Sequence, residues 1–484
     1  MKKTFRIALI SVFLLFFISI AFIACRPFLS AGKFFDGCYL LYSPNEDGKT
    51  CTVSKCIPLG TNMVTVPETI GRYRVSAIGD YAFANRSKIT NISLPNSLCE
   101  IGMGAFYECN SLANIVIPQN VTSIGSYAFY GCTQLTDITI PETVTAIGAG
   151  ALDGCVELLT VNIPTMAIPA LPSENHITSL VINSGKSIGN GAFCNFKSLT
   201  SIAIAPSVEM MGENVFAGCK NITTATVPAC AIAELPKSAL THLTVNGGTE
   251  IPERACLYAP NLMCVTLGDS IESIKPLAFN GCYKLVEVYN FSSLTITPGA
   301  IDNGYVARYA LNVYTSTEET TKTWVDENGY LFFEDAQTCY LLGYMGEKTE
   351  LILPSDCNGK SYVIHQYAFY NNQTLTSISL PDGVAGIDGY AFYNCSGLQS
   401  IDFPDSLLQI GEYAFADCDA LTEISLGKNI SVLGAFAFED CDSLARVQYR
   451  GTTKEWSFVN QGYSWISYTP AEAIVCTDGV ITLN

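Results

Sequence analysis

Cysteine is the residue whose number and spacing in this chain most suggest chemistry. Twenty are present, an even count that in an exported protein commonly indicates disulfides. Eight of them share one slot of a repeated pattern, three residues after a recurrent Ala-Phe pair or its substitute. These eight, the cysteine column, are Cys109, Cys132, Cys155, Cys219, Cys282, Cys395, Cys418 and Cys441. Free cysteine packs as a small hydrophobe, and side chains stacked in the same direction are poorly placed to form disulfides. We therefore predict eight buried, unpaired thiols.

Other residues that could bind metal or catalyse a reaction are few and scattered. The chain has no C-x-x-C motif and only three histidines, which disfavours a zinc site. His176, His242 and His365 are interpreted as solvated loop or surface residues. The acidic pairs Asp417-Asp419 and Asp440-Asp442 flank column cysteines in loops, and no nucleophile or phosphate-loop motif is present. We predict no enzyme activity, no cofactor and no metal site.

The elements that position these residues follow a 23-residue step, illustrated by the turn from Pro118 to Ile140. The Ala-Phe phenylalanine, or Leu152 in its place, marks each step at Phe83, Phe106, Phe129, Leu152, Phe369, Phe392, Phe415 and Phe438. Leu135-x-x-Ile138-x-Ile140 alternates as a strand does, and Pro141 ends it because proline has no N–H to donate. A fixed period of this length is typical of stacked repeats, each of which buries its apolar face against the next.

The outward positions of these strands form the candidate binding surface. Their side chains are largely hydroxyl-bearing, and they supply hydrogen-bond donors and acceptors on a preformed face. Threonine is also a good strand former, so part of this enrichment needs no function. The candidate binding residues are Thr136, Asp137, Thr139, Thr160, Thr200, Ser201, Thr223, Thr224, Thr226, Thr376, Ser377 and Ser379.

The full pattern, L-x-x-I-x-I-P-x-x-V-x-x-I-G-x-x-A-F-x-x-C, resembles the BspA-like class of leucine-rich repeats of bacterial surface proteins. The resemblance covers roughly residues 63–290 and 351–450. It implies an α/β-type repeat solenoid, with mostly parallel strands on a concave face and loops or short helices on the convex side. It also implies adhesion or ligand binding at the cell surface and no catalytic residues.

Charge and composition narrow the choice of partner. The formal net charge is −18, which disfavours nucleic acid because phosphate binding needs a basic surface. We expect a monomer that binds an extracellular protein or glycan. The alternatives are a structural spacer that displays a non-repeating insert and, less favoured, a cell-envelope enzyme.

The N-terminus indicates export. Lys2, Lys3 and Arg6 precede an apolar run that ends at Cys25, and residues 1–25 resemble a lipoprotein signal peptide with Cys25 as the lipidated residue. An uncleaved membrane anchor and plain secretion remain alternatives. Each of the three exports the remainder of the chain, and we expect it to lie at the cell surface, held to the membrane.

The remaining segments organise the chain as follows. We predict an N-terminal cap at 26–62, repeat blocks at 63–292 and 351–447, a small β insert at 293–350 and a C-terminal cap at 448–484. Cys51 and Cys56 either pair or remain as two thiols. Short strands at 311–314 and 330–333 predict a hairpin around Asn328-Gly329. The aromatics of the insert either pack onto the repeat blocks or form a ligand patch, whereas Trp456 and Trp465 are interpreted as cap core residues.

Overall fold

The computed structural model describes residues 31–35, 38–172 and 175–483. The chain divides between Asn221 and Ile222 into two compact units. The predicted signal segment and Cys25 lie outside the described residues. Within the described ranges, no helix combines the length and apolar character needed to cross a membrane.

The first unit consists of short strands joined by turns. They are β1 (Ala31–Phe35), β2 (Cys38–Pro44), β3 (Thr50–Pro58), β4 (Met63–Thr65), β5 (Thr69–Ile70), β6 (Tyr73–Ile78), β7 (Asn91–Ser93), β8 (Glu100–Ile101), β9 (Asn114–Ile115), β10 (Ser123–Ile124), β11 (Asp137–Thr139), β12 (Ala146–Ile147), β13 (Thr160–Pro164), β14 (Ser179–Ser184), β15 (Ser187–Ile188), β16 (Ser201–Ile204) and β17 (Met210–Met211).

These strands form two parallel columns after an antiparallel start. β1, β2 and β3 pair antiparallel, and β3 then pairs parallel with β6. The strands of the Leu-x-x-Ile-x-Ile segments pair parallel in the series β4-β7-β9 and β11-β13-β14-β16. The shorter Ile-Gly segments pair parallel as β6-β8-β10-β12 and as β15-β17. Each repeat therefore contributes one rung to each column.

The second unit repeats this arrangement. Its elements are β18 (Thr224–Pro228), β19 (His242–Gly247), β20 (Glu250–Ile251), β21 (Cys264–Leu267), β22 (Ser273–Ile274), β23 (Glu287–Asn290), β24 (Asn312–Tyr314), β25 (Thr323–Val325), β26 (Tyr330–Glu334), β27 (Cys339–Tyr344), β28 (Glu350–Ile352), β29 (Tyr362–Ile364), β30 (Ser377–Ser379), β31 (Val384–Ile387), β32 (Ser400–Asp402), β33 (Gln409–Ile410), β34 (Glu423–Leu426), β35 (Val432–Leu433), β36 (Arg446–Tyr449), α1 (Thr453–Trp456), β37 (Asn460–Gln461), β38 (Ala473–Val475) and β39 (Val480–Thr482).

Parallel pairing again dominates, in the series β18-β19-β21-β23-β24, β29-β31-β33-β35-β37 and β32-β34-β36-β38. The predicted parallel solenoid is therefore confirmed in each unit. Helix is scarce: 3₁₀ turns at Thr165–Ala170 and Ala229–Glu234 lie in the two shortened repeats, and a third covers Asn303–Tyr305. The side opposite the strands thus consists mainly of turns.

The core is built from columns of identical side chains. The rings of Phe83, Phe106 and Phe129 stack with centroids 5.3 Å apart at each step. This step is close to the strand spacing of ~4.8 Å, so the ring stack follows the hydrogen-bonded ladder. Burying a phenylalanine side chain stabilises a fold by ~1.5–3 kcal/mol, and the ring recurs in almost every repeat.

The eight column cysteines are free thiols and buried, as predicted. The structure adds a reason for their choice over alanine or valine. Each Sγ donates a hydrogen bond to a backbone carbonyl of the preceding turn, for example Cys132 to Phe106 O at 3.3 Å and Cys418 to Phe392 O at 3.3 Å. The same bond recurs at the other six positions. The thiol is therefore a second donor to a carbonyl that also accepts a backbone hydrogen bond, as Phe106 O does from the N–H of Cys109 at 3.2 Å.

The segment between the repeat blocks differs from its predicted form. The hairpin around Asn328-Gly329 is confirmed, but its strands are β25 and β26. The strand at 312–314 was wrongly assigned to this hairpin, because β24 pairs parallel with β23 and extends the preceding repeats. β26 pairs antiparallel with β27, and β27 pairs parallel with β29, so the hairpin begins the next stack as β2 and β3 do.

Aromatic and cysteine side chains hold these segments in place. Phe332 packs into the core of the following repeats, and Phe333 packs with Met263 and Val286 of the preceding ones. A disulfide, which sequence spacing did not indicate, joins Cys339 to Cys357. By contrast, Cys51 and Cys56 form no disulfide.

At the C-terminal end, Trp456 and Trp465 are buried, as predicted. Trp456 lies in the short helix α1. The helix begins with a capping box between Thr452 and Glu455.

Candidate functional site

The outward side chains of the longer strands in the first unit lie in rows across adjacent rungs. Asp137 pairs with Thr160, Thr160 with Ser179, and Ser179 with Ser201. Side chains alternate along a strand, so one set of residues faces the core and the other faces outward. We call the outward set the strand face: Met63, Thr65, Asn91, Ser93, Asn114, Val116, Asp137, Thr139, Thr160, Asn162, Ser179, Val181, Ser201 and Ala203. All of them are exposed or half-buried.

The first rungs of the strand face form a groove of about 540 Å³, which runs along β4, β7 and β9. Two apolar side chains project there, with Met63 60% and Val116 73% exposed. Asn91 and Asn114 lie in the same row of paired residues as Met63. Sequence reasoning did not select these residues. The available signal was Val116, an aliphatic residue at an outward strand position where most turns have a polar one.

Some hydroxyl groups next to the strand face donate hydrogen bonds to backbone carbonyls of the neighbouring rung. Thr178 Oγ1 donates to Leu159 O at 3.3 Å, and Thr200 Oγ1 donates to Thr178 O at 3.0 Å. Thr136 Oγ1 instead donates to the carboxylate of Asp137 at 2.7 Å. The hydroxyls of Thr136 and Thr200 are therefore engaged as donors within the fold.

The second unit contains the other predicted binding residues. Thr224 pairs with His242, and Thr226 pairs with Thr244. Thr223 directly precedes β18. Further along, Ser377 pairs with Glu350 and Ser379 with Ile352. Thr376 Oγ1 donates to Thr349 O at 3.0 Å, which repeats the backbone contact of Thr200. The predicted residues are thus distributed over both units rather than gathered at one point.

Part of the outward face in the second unit is covered by the chain itself. Glu287 is fully buried, and its carboxylate accepts hydrogen bonds from the backbone N–H groups of Lys322 and Thr323. Thr323 Oγ1 also donates to Glu287 Oε2 at 2.8 Å and lies 3.2 Å from His242 Nε2. Burial raises the pKa of Glu287 and lowers the pKa of His242. Strand β25 therefore occupies this face at the positions of His242 and Glu287. The interpretation of His242 as a solvated residue was wrong, because this strand covers its imidazole ring.

The histidines do not form a site. His176 is exposed, as predicted. The interpretation of His365 as a solvated residue was wrong: it is 2% exposed, and burial lowers its pKa to about 4. His365 occupies the slot that is glycine in most turns, where the rungs approach closely. Among the described residues, no three His, Cys, Asp or Glu side chains are grouped so that they could hold a metal ion.

Comparison with known proteins relates the repeat pattern to one family. The profile described as "BspA type Leucine rich repeat region (6 copies)" matches residues 62–169, 170–286, 249–298 and 349–461, well over half of the chain. No curated protein matches the chain in sequence.

Several solved structures are similar. A leucine-rich cell surface protein of Faecalibacterium prausnitzii is 22% identical over 90% of this chain and 98% of its own, with a TM-score of 0.28. A leucine-rich repeat protein of Bacteroides ovatus is 22% identical over 88% of this chain and 97% of its own, with a TM-score of 0.29. A leucine-rich repeat protein of T. pallidum is 24% identical over 38% and 87%, with a TM-score of 0.26.

Proposed function

Because the chain belongs to the BspA-type leucine-rich repeat family, we propose that it is a cell-surface binding protein whose strand face holds an extracellular protein. The groove on β4, β7 and β9 is the observation that carries this proposal. It exposes Met63 and Val116 among amide and hydroxyl side chains. Apolar anchors ringed by polar groups are typical of protein–protein interfaces.

The chemistry of the strand face indicates the kind of partner surface that fits. Asp137 is its only ionisable side chain, and the rest are small polar or aliphatic groups. A partner would place an apolar side chain against Val116 and hydrogen-bonding groups against the rows at Thr139 and Ser201. The net charge of −18 would disfavour an acidic partner and would speed the approach of a basic one at low salt.

We also propose that Cys25 is lipidated. A lipid on its sulfur would hold the repeats at the membrane and leave the strand face available outside the cell. A transmembrane anchor or release from the cell would serve the same binding function with different retention. The competing function is that of a spacer, in which the repeats only display the segment between the two blocks.

The proposal is tested by binding to a panel of purified extracellular matrix proteins. The variant Val116→Arg places a long charged side chain in the groove without touching the core. Ile352→Arg is its matched control, because Ile352 occupies the corresponding outward position in the second unit and is 78% exposed. We expect Val116→Arg to weaken binding by at least about tenfold, or ~1.4 kcal/mol, and Ile352→Arg to have little effect.

Two outcomes would contradict the proposal. Equal binding by wild type and Val116→Arg would place the interface elsewhere. Loss of binding in Ile352→Arg alone would assign the interface to the repeats of the second unit. Thr139→Arg provides a second variant of the strand face, at an exposed position away from the groove.

A further inference from the structure

The second unit contains a cleft with a different character from the strand face. Its volume is about 550 Å³, and its walls include Tyr258, Tyr283, Tyr344, Tyr367 and Tyr370. Tyr283 is central to the cluster, since its ring centroid lies 4.8 Å from that of Tyr367 and 5.0 Å from that of Tyr370. Concave sites lined by aromatic rings with a few polar groups are typical of small-ligand sites.

A lysine lies in the wall of this cleft. Lys284 is only 9% exposed, and its Nζ donates to Asn261 Oδ1 at 3.2 Å. Gly343 lies against this ammonium group, and a Cβ at that position would collide with it. Among the described residues, no carboxylate forms an ion pair with Lys284. A nearly buried ammonium group whose hydrogen-bond acceptor is a neutral amide is strongly stabilised by an anionic partner.

A second cation lies next to the tyrosine cluster, outside the residues that line the cleft. The guanidinium of exposed Arg308 is 5.4 Å from the ring centroid of Tyr309, and Tyr309 packs against Tyr283. Burial raises the pKa of Tyr283 and of Tyr367, and the positive charge of Arg308 partly opposes this shift. In the part of the chain that the structure describes, Arg308 also forms no ion pair with a carboxylate. Lys284 and Arg308 therefore bring two positive charges to the tyrosine cluster.

The combination of groups distinguishes between anionic ligands. A free phosphate would need only the cations, and the tyrosines would then contribute nothing. A sugar ring presents apolar C–H groups that pack on aromatic faces, and its hydroxyls suit amide side chains such as Asn371 and Asn372. A carboxylate on that ring matches the ammonium group of Lys284 through a charge-assisted hydrogen bond.

We propose that this cleft binds the carboxylate-bearing sugars of acidic glycans, with the sugar ring on the tyrosines and the carboxylate on Lys284. This site is separate from the strand face and does not depend on it. Burial lowers the pKa of Lys284 to about 8, so its side chain is mostly charged at neutral pH and can serve as the cation.

The test is calorimetric titration of the full-length protein with matched pairs of sugars. The acidic probes are 3′-sialyllactose and a galacturonic acid tetrasaccharide, and the neutral probes are lactose and a galactose tetrasaccharide. Inorganic phosphate is the competitor. We expect the acidic sugars to bind at least about tenfold more tightly than their neutral partners. Lys284→Met should remove this preference, and Tyr370→Ala should weaken binding of the acidic sugars.

Two further variants keep the test decisive. Arg308→Gln changes an exposed side chain, so it is informative even if Lys284→Met does not fold, and it should weaken acidic sugars about threefold or more. Lys186→Met, an exposed lysine of the first unit, is the matched control and should change nothing. The proposal is overturned by equal affinity for neutral sugars, by unchanged binding in both cation variants, by full competition from phosphate at equal concentration, or by no binding of acidic sugars at about 10 mM.

Discussion

Replacing one column cysteine by alanine tests how the repeats are held together. Cys132 is fully buried, and its Sγ donates to Phe106 O at 3.3 Å. In Cys132→Ala the lost sulfur costs ~1 kcal/mol in burial and cavity terms. The carbonyl of Phe106 keeps its hydrogen bond from the N–H of Cys109 and loses only the second donor, which costs ~0.5 kcal/mol. Together these two contributions predict a total loss of ~1.5 kcal/mol.

The same substitution at an exposed position serves as the control. Cys194 lies in the same unit outside the column and is exposed. Cys194→Ala should therefore change stability by less than ~0.5 kcal/mol. The measurement is urea unfolding followed by circular dichroism. Cys132→Ser should lie between alanine and wild type, because it keeps a donor of similar size. Equal effects of Cys132→Ala and Cys194→Ala would refute the structural role of the column.

Two further predictions concern the second unit. Replacing both Cys339 and Cys357 by alanine removes a cross-link between residues 18 apart in sequence. The free energy of unfolding in urea should fall by ~3 kcal/mol. A reducing agent should lower the urea midpoint of the wild type and leave that of the variant unchanged. Burial raises the pKa of Asp388 to about 6, above that of an unfolded aspartate, so the wild type loses stability as pH rises through that value. Asp388→Asn should therefore be more stable than the wild type at about pH 7.5 and no more stable at about pH 4.5. An equal difference in stability at the two pH values would contradict the raised pKa of Asp388.

The repeat period predicts the parts of this structure that recur. A 23-residue step places equivalent residues one above another, so the phenylalanine stack, the parallel strands and the unpaired cysteines all follow from spacing alone. The hydrogen bond from each thiol to the preceding turn did not follow, because it depends on where a carbonyl points. A pattern identifies which side chains face inward, and it does not identify their polar partners.

Features outside the period were predicted less well. The Cys339–Cys357 disulfide and the contact of Thr323 with Glu287 join residues without a regular spacing. The Asn-Gly turn at 328–329 was recognisable because two adjacent residues are enough to indicate it. The pairing of β24 with β23 was not recognisable, because it joins strands separated along the chain. The groove at Met63 and Val116 and the cleft at Lys284 arise from several rungs together, so no single turn of the sequence indicates them.

Methionine oxidation provides the most direct measurement of the proposed binding surface. Met63 lies in the groove of the strand face and is 60% exposed, while Met210 lies on β17 in the other column of the same unit and is 62% exposed. The two residues should oxidise at similar rates in the free protein. With a partner from the matrix-protein panel bound, we predict that Met63 is protected at least about fivefold and that Met210 is unchanged. Protection of Met210 with Met63 left reactive, or protection of neither in a saturated complex, would contradict binding at the strand face.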